Sequence, residues 1–250
     1  MTDYFRPLVQ IGPARPDTAV SLAGGWGWFT HAEVLSRSTP PRVVPAADIP
    51  ASVMARLTAP RPAMTGLTLD RPRIMGILNT TPDSFSDGGQ HNAVPDALRV
   101  AQEMVAAGAD ILDIGGESTR PGADFVPVSE EITRTAPVIA ALRGAGLQTP
   151  ISIDTRKAAV AEAAVSAGAN LVNDVSGFTF DPALGPLCQK LALPVCVMHA
   201  QGDPATMHLD PQYDNVLLDV FDALERQISM LEASGIPRGA ILADPGIGFG

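Results

Sequence analysis

Ile111-Leu112-Asp113-Ile114-Gly115-Gly116-Glu117-Ser118-Thr119-Arg120-Pro121-Gly122 is the stretch that decides the fold. A short apolar run ends in two glycines and opens into a polar loop. A helical stretch, Ser129–Leu142, comes next, and then a second apolar run, Ile151-Ser152-Ile153, that stops at Asp154. The cycle repeats in both directions. Apolar runs recur at Ile74–Leu78, Leu171–Val172, Val195–Met198 and Ile241–Ala243, with helical stretches at Asp96–Ala107, Lys157–Ala167, Pro182–Leu191 and Val216–Ser234. In the last of these, Leu217, Val220, Phe221, Leu224, Ile228 and Leu231 recur at helical spacing. Near-continuous apolar strands alternating with helices mean a parallel sheet covered by helices. The choice is a (β/α) barrel or an open doubly wound sheet.

The strand ends favour the barrel. Each run finishes beside a polar residue: Asn79, Glu117 just past its glycines, Asp154, Asn173-Asp174, His199 and Asp244. A barrel gathers all strand C-termini at one mouth, where its active site is built, whereas an open sheet strings them along an edge. No Gly-x-Gly-x-x-Gly follows a strand and no Gly-x-x-x-x-Gly-Lys-Ser/Thr is present, so neither nucleotide fingerprint applies. The expected class is α/β, a (β/α)8 TIM barrel. Six runs are visible at intervals of roughly 33 residues, and a barrel of eight needs ~200 residues or more, so about six units are expected in residues 72–250.

Residues 1–71 read differently. Nine prolines and Gly24-Gly25-Trp26-Gly27-Trp28-Phe29 break long helices. Short strands and loops are expected there, with one short helix near Ala51–Leu57. Trp26 and Trp28 are read as anchors of this extension rather than as a ligand platform. Across the 250 residues, 17 Lys and Arg face 27 Asp and Glu, a net charge of −10. That argues against a nucleic-acid partner, which needs a basic face. No apolar run reaches the length of a membrane span, and no signal peptide opens the chain, so the cytoplasm is expected. Cys188 and Cys196 are the only cysteines and are read as core residues.

The strand-end residues carry the chemistry. Asn79 offers a neutral oxygen to a hard cation such as Mg²⁺, or an amide to a phosphate; alternatively it starts an Asx turn. Arg120, between glycines and prolines, suits a carboxylate or phosphate, or else pairs with Glu117. Asp154 needs donors, which are either a ligand's N–H groups or the first turn of the next helix. With Asp244 and Asn173 it suits a flat heterocycle with an amidine-like edge. His199 is a base or a structural hydrogen-bonding group.

Two segments bear a family resemblance. Ile74-Met75-Gly76-Ile77-Leu78-Asn79-Thr80-Thr81-Pro82-Asp83-Ser84-Phe85-Ser86-Asp87-Gly88-Gly89 resembles the first signature of dihydropteroate synthases, and Asp113 to Gly122 the second. Asp154, Asn173-Asp174-Val175-Ser176-Gly177, Met198-His199 and Asp244-Pro245-Gly246-Ile247-Gly248-Phe249-Gly250 match in order. The resemblance implies a barrel transferase of folate biosynthesis, a sulfonamide target and usually a homodimer. It joins 6-hydroxymethyl-7,8-dihydropterin diphosphate to 4-aminobenzoate, with Mg²⁺. By the same resemblance Asp154, Asn173 and Asp244 line the pterin pocket, and Asn79 serves the metal and diphosphate. Thr81, Pro82, Phe85, Ser86, Thr119, Arg120 and Pro121 belong to loops over the aminobenzoate, and Asp154, Asp87 and Arg120 act at the reacting centre. The family's further basic residues follow the position of Gly250, so these 250 residues alone are expected to be inactive. Methyltetrahydrofolate methyltransferases share the Asp and Asn positions but not the two loops. A non-catalytic pterin-binding paralogue is the other alternative.

Overall fold

The structure, a computed structural model, describes residues 3–80, 93–118, 125–201 and 211–249. It divides into two compact units, Met1–Pro72 and Arg73–Gly250.

The first unit is built from short strands. β1 (Tyr4–Pro7), β4 (His31–Leu35) and β5 (Arg42–Pro45) form an antiparallel sheet in the order β1-β4-β5, and β2 (Val20–Ser21) pairs with β3 (Trp28–Phe29). Alternation along β4 turns Ala32 and Val34 inward, where they meet Phe29, Val44 and Ile49. One helix, α1 (Ala51–Thr58), packs Val53, Met54 and Leu57 on this core. Trp28 anchors as expected: it is buried, and its indole Nε1–H donates to the Gly12 carbonyl at 3.0 Å. Trp26 does not, since it is 63% exposed and its ring lies outside the small core. An open groove of about 1060 Å³ lies beside Arg15, Trp28 and His31, and no carboxylate lines it.

The second unit alternates strand and helix. Its elements are β6 (Met75–Asn79), α2 (Ala93–Ala106), β7 (Ile111–Gly115), α3 (Val128–Gly144), β8 (Ile151–Asp154), α4 (Ala158–Ala167), β9 (Leu171–Asp174), α5 (Leu184–Lys190), β10 (Val195–Met198), α6 (Val216–Ala233) and β11 (Ile241–Asp244). The strands are parallel and stand in sequence order, each beside its predecessor. That order is a barrel's; a doubly wound sheet reverses at a switch point. The unit is therefore five consecutive β/α repeats and a sixth strand of a TIM barrel. α5 is shorter than the expected Pro182–Leu191 because Asp181 caps the turn before it, accepting the Ala183 N–H at 2.9 Å. No helix among the described residues is long and apolar enough to cross a membrane.

Strand alternation sorts the chemistry. Leu78, Leu112, Ile114, Ile151, Ile153, Val172, Val195 and Val197 face the helices and form the main core with Ala97, Ile139, Leu142, Ala161 and Leu184. Their neighbours Asn79, Asp113, Gly115, Ser152, Asp154, Asn173, Cys196 and Asp244 take the opposite face, because successive side chains point to opposite sides of a strand. At the N-terminal end of the sheet one residue ties the elements together. Arg143 donates to the carbonyls of Gly168, Leu147 and Thr149 and to Asn170 Oδ1, at 2.7–3.0 Å. Asn170 Oδ1 also accepts the Ile151 N–H at 3.0 Å, which sets the start of β8.

Candidate active site

The register lines up the polar face. Asn79, Gly115, Asp154 and Asn173 stand in one row across β6, β7, β8 and β9. Asp113 and Ser152 pair one step deeper, and Asp244 pairs with Met198 toward the strand ends. Gly115 keeps the row close: a Cβ there would lie 3.4 Å from Asp154 Oδ2 and 3.7 Å from Asn79 Oδ1. The missing side chain leaves a shallow cradle between a carboxylate and an amide oxygen.

Asp113 is the residue that sequence reasoning missed. It sits in mid-strand, 4% exposed, and its Oδ2 accepts from Asn173 Nδ2 at 3.0 Å. Its other oxygen is buried without a hydrogen-bond partner among the described residues, as are Asn173 Oδ1 and Ser152 Oγ. A buried acceptor left unpaired costs about 1–3 kcal/mol. Two such acceptors side by side, with a hydroxyl near them, are arranged for donors that a ligand brings. The available signal was alternation itself, since Asp113 falls two residues before Gly115 on the face that carries Asp154.

Burial raises the pKa of Asp113, against the pull of Ser152 and Asn173. The Ser152 hydroxyl is the nearby donor whose pull on Asp113 counts in that balance, and neither it nor Asp113 Oδ1 has another hydrogen-bond partner among the described residues. Asp154 is pushed up further, first by burial and then by the charges of Asp113, Asp174, Glu131 and Glu117. It is not a helix cap: the Ala158 N–H at the start of α4 goes to Asp181 Oδ2 at 2.8 Å.

The mouth does not collect every strand-end residue, which corrects the single-pocket reading. Asp174 faces the helices and closes its own turn, accepting the N–H groups of Ser176 at 2.7 Å and Phe178 at 2.9 Å. Glu117 turns aside to Arg156 at 3.2 Å, Lys157 at 3.1 Å and the Val126 N–H at 3.0 Å. Burial alone would raise the pKa of Glu117, and these donors outweigh it and bring it below the usual carboxylate range. Glu117 thus has two cationic partners within the described residues, and Arg120 lies outside them. Asp244 does stand at the mouth, where its Oδ1 accepts the Gly246 N–H at 2.8 Å. Gly246 holds φ +65°, and a Cβ there would fall 1.9 Å from the His199 carbonyl oxygen, so only glycine makes this turn. His199 is buried beside Tyr213, and burial followed by Arg226 lowers its pKa, leaving a neutral imidazole at pH 7. Cys196 lies on the polar face; burial and the surrounding aspartates push its thiol up to about 12.

Asn79 places an exposed amide at the end of β6. No group of three or more His, Cys, Asp or Glu among the described residues is arranged around a cation. Mg²⁺ keeps most of its waters and is commonly held by one or two protein oxygens plus a substrate's phosphates. A single amide oxygen beside Asp154 fits that manner of binding. Thr81, Pro82, Phe85, Ser86, Asp87, Thr119, Arg120 and Pro121 lie outside the described residues.

The strand ends thus gather carboxylates and an amide with open acceptors on one face of the barrel sheet. The pattern of the family described as "Pterin binding enzyme" matches residues 75–250, and the chain belongs to that family. The dihydropteroate synthase of Synechocystis is 46% identical over 175 residues, which are 70% of this chain and 60% of that protein. The structure of Xanthomonas albilineans dihydropteroate synthase with 4-aminobenzoic acid matches at 48% identity and a TM-score of 0.68, over 74% of this chain and 64% of that one. Burkholderia cenocepacia dihydropteroate synthase complexed with 7,8-dihydropteroate matches at 46% identity and a TM-score of 0.64, over 74% and 61%. The chain thus spans about 60% of the length of these relatives.

Proposed function

We propose that the protein containing this chain is a dihydropteroate synthase, which joins 6-hydroxymethyl-7,8-dihydropterin diphosphate to 4-aminobenzoate. The observation that carries the reading is the pair of unpaired buried acceptors, Asp113 Oδ1 and Asn173 Oδ1, on the face shared with Asp154. The relatives named above and the two signature loops support the choice of substrates.

Asp113, Asp154 and Asn173 accept from the N–H edge of the pterin, and Asp244 closes the mouth side. The bond between the pterin methylene carbon and the diphosphate oxygen breaks, and its electron pair leaves with diphosphate. The positive charge left on the methylene spreads into the ring, where the carboxylates favour it. The aminobenzoate nitrogen forms the new C–N bond with its lone pair and loses a proton to solvent. Asn79 would hold Mg²⁺, which when bound neutralises the departing diphosphate. Asp87 and the loop residues Thr81, Pro82, Phe85, Ser86, Thr119, Arg120 and Pro121 serve the second substrate. The whole protein acts as a homodimer in the cytoplasm and is inhibited by sulfonamides. The homodimer and the inhibition rest on the resemblance, and the cytoplasm on the sequence reading.

The test is product formation by the full-length protein. Mass spectrometry should find 7,8-dihydropteroate, formed with stoichiometric diphosphate and only when both substrates are present. Tight pterin binding with no product would point to a non-catalytic pterin-binding protein, and methyl transfer to a corrinoid protein would point to the methyltransferase class.

A further inference from the structure

Ser152 is fully buried, and the register sets it beside Asp113 on the polar face. On its other side Ser152 pairs with Leu171, and on its other side Asp113 pairs with Ile77, so neither outer neighbour brings a polar side chain. The hydroxyl and Asp113 Oδ1 have no further hydrogen-bond partner among the described residues. Asp113 Oδ2 already holds Asn173 Nδ2 at 3.0 Å. A serine hydroxyl rotates freely and has one proton to give. Across the β7–β8 pair, the acceptor in want of one is Asp113 Oδ1. Packing alone does not call for the oxygen, because alanine would strand no buried polar atom there.

The groups that face Asp113 do little to keep it charged. Asp154 on β8 carries the same sign, and the Cys196 thiol on β10 is itself pushed up by Asp113. Asn173 on β9 is neutral and Ile77 on β6 is apolar. None of these four is a cation, so the ionised carboxylate depends on hydrogen-bond donors.

We propose that Ser152 is a positioning residue for the pterin: its hydroxyl donates to one lone pair of Asp113 Oδ1 and keeps that oxygen an acceptor, whose second lone pair takes the ligand N–H. The inference rests on the synthase reading and adds to it a residue that acts through Asp113. A protonated Asp113 offers the ring one acceptor fewer, so Ser152 extends pterin binding toward acid pH.

The experiment compares full-length wild type with Ser152→Ala, using pterin diphosphate as the ligand. Two quantities are followed against pH. Carboxyl-carbon NMR reads the titration of Asp113 in the free protein, its signal assigned by loss in Asp113→Asn, and calorimetry reads the pterin diphosphate Kd. Ser152→Ala should fold, since it removes a buried oxygen and leaves no new void larger than that atom. Its Asp113 midpoint should rise by about one pH unit, for one lost hydrogen bond to a charged group. The ratio of variant to wild-type Kd should be lowest at alkaline pH, where Asp113 is ionised in both, and about fivefold larger at the wild-type midpoint. Titration of the ligand cancels in that ratio. The proposal is overturned by a variant that does not fold, by a midpoint that moves less than about 0.3 pH unit, or by a Kd ratio that is flat with pH, which would mean that Ser152 meets the ring itself or only fills space. If wild type does not bind pterin diphosphate, the synthase reading fails separately. The NMR midpoint then decides alone: a rise in Ser152→Ala sustains the hold of Ser152 on Asp113, and an unmoved midpoint refutes it.

Discussion

Replacing Asp113 by asparagine separates a ligand site from a structural carboxylate. The substitution keeps shape and volume and changes two things. The new side chain can still present an oxygen to Asn173 Nδ2, now 3.0 Å from Asp113 Oδ2. Its amide NH₂ then occupies the position of the unpaired Oδ1. A ligand N–H aimed at that position meets another N–H. The complex loses one charged hydrogen bond, about 1.5–3 kcal/mol, and buries an unpaired donor, about 1–3 kcal/mol. The sum is ~2.5–6 kcal/mol, about two to four decades in pterin affinity. The free protein moves the other way. Burial already disfavours the Asp113 charge, and Asp154 beside it carries the same sign. A neutral side chain relieves both, so the empty variant should melt at the same temperature as wild type or higher at pH 7–8. Calorimetry with pterin diphosphate and thermal melting without ligand give the two readings. An Asp113→Asn protein that binds within threefold of wild type would refute the assignment of Asp113 to the ligand. A protein that melts markedly lower would mean the carboxylate serves the fold.

Three further outcomes follow from the same geometry. The pKa values of Asp113 and Asp154 are raised in the folded state, so the native protein holds more protons than the unfolded chain once pH exceeds the ordinary carboxylate value, about 3.9. Their joint contribution to the free protein's stability is therefore largest in acid and declines as pH rises toward the folded-state values; Asp154→Asn should flatten that decline in denaturant titrations, and an unchanged slope would count against it. Arg143→Met takes the donor from three carbonyls at the base of the sheet, while Asn170 Oδ1 keeps the Ile151 N–H, and should cost about 3–5 kcal/mol, with pterin affinity preserved in whatever fraction stays folded; a loss under about 1 kcal/mol in urea unfolding would show that water replaces the guanidinium. Cys188 and Cys196, both pushed up to about 12, should resist a thiol reagent at pH 8 until the protein unfolds.

Most of the barrel was legible because its signals are local. Strand and helix periods differ, and each β/α repeat announces itself within a few dozen residues. Asp154, Asn173 and Asp244 were legible for the same reason, being polar residues that end apolar runs. The partners were not. Asp113 looks from sequence like one polar interruption of a buried strand, and only the register that sets it against Ser152, with Asn173 across from it, places its carboxylate on the polar face beside Asp154. Glu117 and Asp174 had the same local signature as Asp154 and proved to serve turns and ion pairs. The two differ from it by where the chain turns after the strand. Asp174 falls one residue further than Asn173 and so faces the helices, and Glu117 comes after two glycines that release the strand's alternation. Face, which alternation fixes, separates the carboxylates that stand on the polar face of the sheet from the others, and polarity at a strand end does not. Lys157 shows the limit from the other side. In sequence it is one cation at a helix start, and its three acceptors come from residues 117, 126 and 131, none of them local to it. A sequence reading finds groups that act through their own strand. Groups that act by joining separate loops become visible only when the loops are placed together.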